Sequence, residues 1–194
     1  MSDQALDTGD ARRDAILQGA LGVFLRYGFK KTSMDDLARA VDLSRQGLYL
    51  HFPNKEALFK ECVIFLTRQS LATARAALAR DDLPLEERLL GAFVALKRNS
   101  DGSDMSQEHM AELFATATQL VAPALEELNT ALVADLARTL EASGLAAKWQ
   151  GAGLTAADLA QHLHAASHGI KHSVKTAAEY RDGMRVAVRL VCAK

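Results

Sequence analysis

Only three prolines, Pro53, Pro84 and Pro123, punctuate 194 residues. Between them apolar side chains recur at helical spacing. So few prolines disfavour a chain of many edge strands and turns, and the abundance of Ala, Leu, Arg and Glu favours helix. The chain therefore reads as almost all-α. With 49% hydrophobic and 24% charged residues it has the material for a real core. No apolar run approaches the ~18 residues of a membrane span. The opening MSDQALDTGD is acidic and polar, unlike a signal peptide. Cys62 and Cys192 are too few for a disulfide scaffold. Together these predict a cytoplasmic protein with two reduced, buried thiols.

Residues 1–10 read as a disordered tail, too poor in apolar groups to repay ordering entropy. From Ala11 a helical face forms through Ile16, Ala20, Val23 and Tyr27, with Phe24 beside it, and Gly28 stops it. Ser33 to Asp36 has capping-box spacing and opens a helix with Met34, Leu37, Ala38 and Val41 inward. Asp42 takes the turn. Ser44 caps a very short helix, Arg45 to His51. Pro53-Asn54 ends it and starts a long helix to about Arg80, with Leu58, Cys62, Phe65 and Leu66 on one stripe. A helix follows Pro84 to about Arg98. Residues 99–104 are turn chemistry, and 105–141 form a helix broken near Pro123. Residues 148–153 read as loop. Thr155 caps a helix over about 155–178, and a last helix covers 182–192 with Met184, Val188 and Val191. The division expected is a helix-turn-helix domain over 11–53 and a larger helical domain over 54–194.

Two short helices joined by a tight turn describe a helix-turn-helix. The second, S-R-Q-G-L-Y-L-H, is too polar for a core helix, and Leu48 is its one evident buried residue. That turns Arg45 and Gln46 outward near a helix N-terminus, where they reach guanine and adenine edges in a major groove. Tyr49 and His51 offer donors to phosphate. Lys55 lies beside the free N–H groups opening the next helix. Residues 11–60 carry nine Lys or Arg against five Asp or Glu, a local +4 in a chain of net charge −1.

The run from Lys31 to Phe59, above all L-Y-x-H-F-x-x-K-E-x-L at Leu48 to Leu58, resembles the DNA-binding region of the tetracycline-repressor (TetR) family. The resemblance covers about residues 11–65. It implies phosphate contacts from Thr32, Ser33, Tyr49, His51 and Lys55, and base reading by Arg45 and Gln46, with Ser44 at the helix start. Asp42 stands where the family usually has glycine. Gly47 stands where it often has threonine, so the backbone there can approach DNA closely.

For the C-terminal part the resemblance implies effector binding and dimerisation. Its last two helices would form a four-helix bundle with a second copy. The stripe Leu159, Leu163, Ala166, Ile170 and Val174, with Val188, suits such an interface, and Ala165, Ser167 and Gly169 permit close approach. A largely apolar effector is expected among Phe93, Leu96, Met105, Met110, Phe114 and Trp149, with His109 and Gln119 as polar anchors. His164, His168 and His172 share a helix face, but span about 12 Å, and no acidic or cysteine partner lies at ligand spacing. No metal site and no cofactor are expected. The chain has no Gly-rich phosphate loop, H-E-x-x-H or G-x-S-x-G motif.

The resemblance implies a homodimeric repressor, not an enzyme, released from a palindromic double-stranded DNA operator by a small molecule. The alternatives are a helix-turn-helix regulator without an effector and a helical metal-dependent enzyme using the histidines.

Overall fold

A computed structural model describes residues 3–98 and 107–193. Among the described residues the chain is all-helical: α1 (Asp3–Tyr27), α2 (Met34–Ala40), α3 (Arg45–His51), α4 (Lys55–Leu78), α5 (Leu85–Arg98), α6 (Gln107–Ala142), α7 (Leu145–Trp149), a 3-10 turn (Gln150–Ala152), α8 (Ala156–Ser173) and α9 (Ala177–Cys192).

Most helix ends follow local chemistry. Ser33 caps α2 in a reciprocal box: its Oγ accepts from the Asp36 N–H, and Asp36 Oδ2 accepts from the Ser33 N–H at 3.0 Å. These hydrogen bonds from Ser33 hold the Asp36 carboxyl below the usual carboxylate range. Ser44 Oγ accepts from the Gly47 N–H at 2.9 Å and opens α3. Asn54 Oδ1 accepts from the Ala57 N–H at 2.8 Å and opens α4. Thr155 and Asp158 form a second box at α8. The break in α6 falls at Val121 (φ −136°, ψ 21°), two residues before Pro123, because proline supplies no N–H to the carbonyl four residues back and its ring clashes with that carbonyl.

Four expectations are corrected. The helix expected from Ala11 already begins at Asp3, inside the supposed tail. Residues 148–153 are not plain loop, since α7 and the 3-10 turn occupy 145–152. Helix α8 stops at Ser173, and α9 starts five residues earlier than expected. Thr176 caps α9 in a third box with Glu179, whose carboxylate also accepts from the Lys175 N–H at 2.8 Å. The turn expected at 99–104 lies outside the described residues.

The chain divides into two compact units, residues 1–67 with 102–125, and 68–101 with 126–194. The division falls inside α4 and α6, not at Pro53-Asn54. The reason is packing. Leu58, Phe59 and Cys62 of α4, and Leu113, Ala117 and Val121 of α6, are buried with Phe24, Leu37 and Leu48. The first unit is therefore α1–α3 completed by one end of each of two long helices. Phe24, Phe29 and Phe59 form an aromatic cluster there, with ring centroids 5.1–5.8 Å apart. Cys62 donates its S–H to Leu17 O, and burial pushes its thiol up to about 12.

In the second unit, α9 packs on α5 and α8. Gly183 permits this, because a Cβ there would lie 2.9 Å from Ile170 Cγ2. Ser167 and Tyr180 share a hydrogen bond of 2.6 Å between the same helices. The buried Asp135 carboxylate is held by Arg75 (2.6 Å) on one oxygen and Arg138 on the other.

Asp42 sits at φ +55°, as its turn position requires. Left-handed backbone costs a residue with a Cβ about 1–2 kcal/mol, and glycine costs about 0.5–1 kcal/mol of extra chain entropy. Strain is the larger quantity. Asp42→Gly is therefore expected to raise stability by about 0.5 kcal/mol, read as a higher urea midpoint with unchanged slope. A lower midpoint would show that the Asp42 side chain relieves the strain locally.

Candidate DNA-binding surface

Helix α3 is seven residues long and buries one side chain, Leu48. Around it Arg45, Gln46, Tyr49, Leu50 and His51 are exposed. Arg45 Nη1 lies 3.1 Å from Asp35 Oδ2, and its guanidinium sits over the Tyr49 ring. An exposed pair of this kind is worth about 0–1 kcal/mol, less than the ~1–3 kcal/mol of a bidentate base contact. Arg45 can therefore leave Asp35 for a guanine. Gly47 stands over its own cap: an added Cβ would meet Ser44 Oγ at 3.1 Å.

The structure separates the expected phosphate contacts into two groups. Tyr49 and His51 have exposed side chains. Thr32 does not: it is 3% exposed, and its Oγ1 donates to Gly28 O at 2.7 Å. The Ser33 hydroxyl is engaged by Asp36. Lys55 points inward, donating to Phe29 O and Thr32 O at 2.9 Å each, with its ammonium over the Phe29 ring. Thr32 and Lys55, expected at phosphates, are engaged within the chain in this structure. Both side chains tie down the loop between α1 and α2, whose open carbonyls need donors.

Sequence reading missed Leu50, which is 84% exposed. A leucine side chain is of the apolar kind that can contact a thymine methyl. A groove of about 560 Å³ between α1 and α2 was also missed; Arg26, Lys31 and Arg39 line it against one acid, Asp36.

The profile described as "Bacterial regulatory proteins, tetR family" matches residues 16–62. Over those residues the chain is similar to the TetR family. Over 85 residues it is 32% identical to the HTH-type transcriptional regulator YhgD of Bacillus subtilis, covering 44% of each chain. Over 51 residues it is 31% identical to IcaR of Staphylococcus epidermidis, the negative transcriptional regulator of the icaADBC biofilm operon. That match covers 26% of this chain and 28% of IcaR. The chain thus spans less than half the length of these curated relatives. The TetR fold extends further. Escherichia coli NemR in its reduced form superposes with TM-score 0.66 at 18% identity, covering 93% of this chain and 95% of NemR. A TetR regulator from Legionella pneumophila gives 0.65 at 17%, covering 92% and 95%. The matched family is described as one of bacterial regulatory proteins. Among the described residues no helix is long and apolar enough to cross a membrane.

Four of the residues expected at an effector site, Phe93, Leu96, Gln119 and Trp149, have described side chains. Phe93 is buried in the core of the second unit, and Leu96 and Trp149 pack against that core. The Trp149 indole N–H donates to Val191 O at 3.0 Å. Gln119 is exposed and belongs to the first unit. Met105, and the side chains of His109, Met110 and Phe114, lie outside the described residues. A second groove, of about 520 Å³, is lined by Pro84, Leu85, Ser143, Lys148 and Cys192 among others.

The expected dimer stripe is also redistributed. Leu159, Leu163 and Val188 are buried within their own chain, so they have no surface left for a partner. Ala166, Ile170 and Val174 are half-buried against the same core. The exposed apolar residues are instead Val186 and Leu190 of α9, with Ala165 and Gly169 exposed on α8.

Among the described residues no three His, Cys, Asp or Glu are arranged to hold a metal. The His164 and His168 rings lie 4.6 Å apart. Burial lowers both from the usual histidine range, helped at His164 by His168, and at His168 by Lys171 and His172. The unfolded chain therefore takes up protons before the folded one. Their contribution to stability is full above the ordinary value of 6.5 and declines as pH falls through the lowered folded values. Thermal midpoints are expected to drop between pH 7.5 and 5.5, and less so in H164Q/H168Q. An equal drop in that variant would place the titration elsewhere.

Proposed function

We propose that this chain is a transcriptional repressor that binds a palindromic double-stranded DNA operator as a homodimer and is released by a small, largely apolar effector. The carrying observation is α3. One leucine seats it, and it presents Arg45, Gln46, Tyr49, Leu50 and His51 outward. In this reading Arg45 and Gln46 read base edges, Leu50 touches a thymine methyl, and Tyr49 and His51 hold phosphates. Ser44 and Gly47 bring the start of α3 against the backbone. Repression is supported by IcaR, a negative regulator similar to this chain over 51 residues. A cytoplasmic location belongs to the same reading.

Dimerisation is proposed through the outer faces of α8 and α9, with Val186 and Leu190 at its centre. Two copies would then present two α3 helices to successive major grooves, about 34–36 Å apart. Effector release requires a ligand with different affinities for the DNA-competent and released states. α4 and α6, which each contribute to both units, are the covalent routes for that change.

The test is selection of duplexes from a random-sequence pool, followed by fluorescence anisotropy at several salt concentrations. An enriched inverted repeat bound tightly, with steep salt dependence, is the expected result. Binding no stronger than to random DNA at low salt overturns it. A thermal-shift screen in which only polar metabolites stabilise the protein overturns the apolar effector.

A further inference from the structure

The loop 28–32, G-F-K-K-T, leads directly into the Ser33 cap and so sets where α2, and α3 packed on it, point. Gly28 begins it at φ +80°. Two elements distant in sequence grip it. From α4, Lys55 donates to Phe29 O and Thr32 O, and Phe59 packs edge-on against Phe29. From α6, Glu112 Oε1 accepts from the Lys30 backbone N–H at 2.8 Å, across 82 residues. The grips are complementary: an ammonium takes carbonyls that face one way, and a carboxylate takes an N–H. The Lys30 and Lys31 side chains remain exposed.

We infer that Glu112 is a positioning residue of the DNA-binding surface, holding the α1–α2 loop through the Lys30 N–H so that α2 and α3 meet DNA in a fixed orientation. This rests on the regulator reading above. Glu112 touches no base or phosphate in this role. Its negative charge would by itself weaken binding to DNA, so geometry and charge predict opposite results.

Two full-length variants separate them. E112D keeps the charge but is one methylene too short to reach Lys30. E112Q loses the charge but keeps an oxygen that accepts. Lys30 amide exchange is followed by NMR or mass spectrometry, and binding to the selected duplex by anisotropy across salt. E112D is expected to speed Lys30 exchange and weaken binding about tenfold, as loss of one charge-assisted hydrogen bond implies. The slope of log affinity against log salt should stay unchanged, because no phosphate contact is removed. E112Q should keep most of the protection and affinity. Tighter binding by E112Q with unchanged binding by E112D would mean that the carboxylate acts by repulsion, and overturns the inference. So does unchanged exchange and affinity in E112D. If the parent protein binds no duplex at low salt, the regulator reading fails, and the positioning role with it. If the parent binds and E112D matches it, only the positioning role fails.

Discussion

Leu48→Ala is expected to abolish specific DNA binding while removing little helical signal. Leu48 is fully buried and is the only buried residue of α3. A seven-residue helix is far below the length that persists alone in water, so its order depends on that side chain. Truncating a buried leucine costs about 2–5 kcal/mol. α3 then frays or shifts on α2, and Arg45 and Gln46 lose their registration with base edges. Circular dichroism should change by no more than the few residues of α3, while anisotropy against the selected duplex falls to the level of random DNA. Leu50→Ala is the companion. At 84% exposure it should leave stability unchanged and relax preference at one thymine. Retained operator affinity in Leu48→Ala would mean that α3 is held by contacts other than its core leucine.

The second large effect lies at α9. Its inner face, Tyr180, Met184, Ala187, Val188 and Val191, is buried within the chain. Its outer face carries Val186 and Leu190, 59% and 66% exposed and four residues apart. Placing Asp at both leaves the inner packing intact, but buries two charges without partners in any dimer that uses this face. Sedimentation should report a folded monomer with a near-native melting point. Operator affinity should fall by about 100-fold, because the second half-site no longer binds as part of the same particle. A V186D/L190D protein that remains a dimer moves the interface elsewhere. A monomeric parent protein removes it.

What could be read along the chain was chemistry completed within a turn or two of helix. The Ser33–Asp36 and Thr155–Asp158 boxes, the Ser44 and Asn54 caps and the positive φ of Asp42 involve partners no more than three residues apart. The outward polarity of α3 was legible for the same reason. The Thr176–Glu179 box has the same spacing and was equally readable, yet the helix was expected to start at Asp182. Lys175 and Thr176 simply lack the apolar residues that draw attention to a helix start.

Three matters were not legible, and each has a physical cause. Lys55 and Thr32 carry side chains suited to phosphate, but the loop carbonyls of Phe29 and Gly28 accept from them. Apolar period identifies a helix face without naming what covers it, so Leu159 and Leu163 read as an interface and proved to be core. Glu112 reaches Lys30 across 82 residues, and no local pattern signals that pair. The sequence by itself determined the helices, their caps and the residues that α3 turns outward, because those depend on short-range hydrogen bonds and on period. Only the tertiary structure decided which donors stay available to DNA, because a charged group in reach of an unsatisfied backbone atom binds it first.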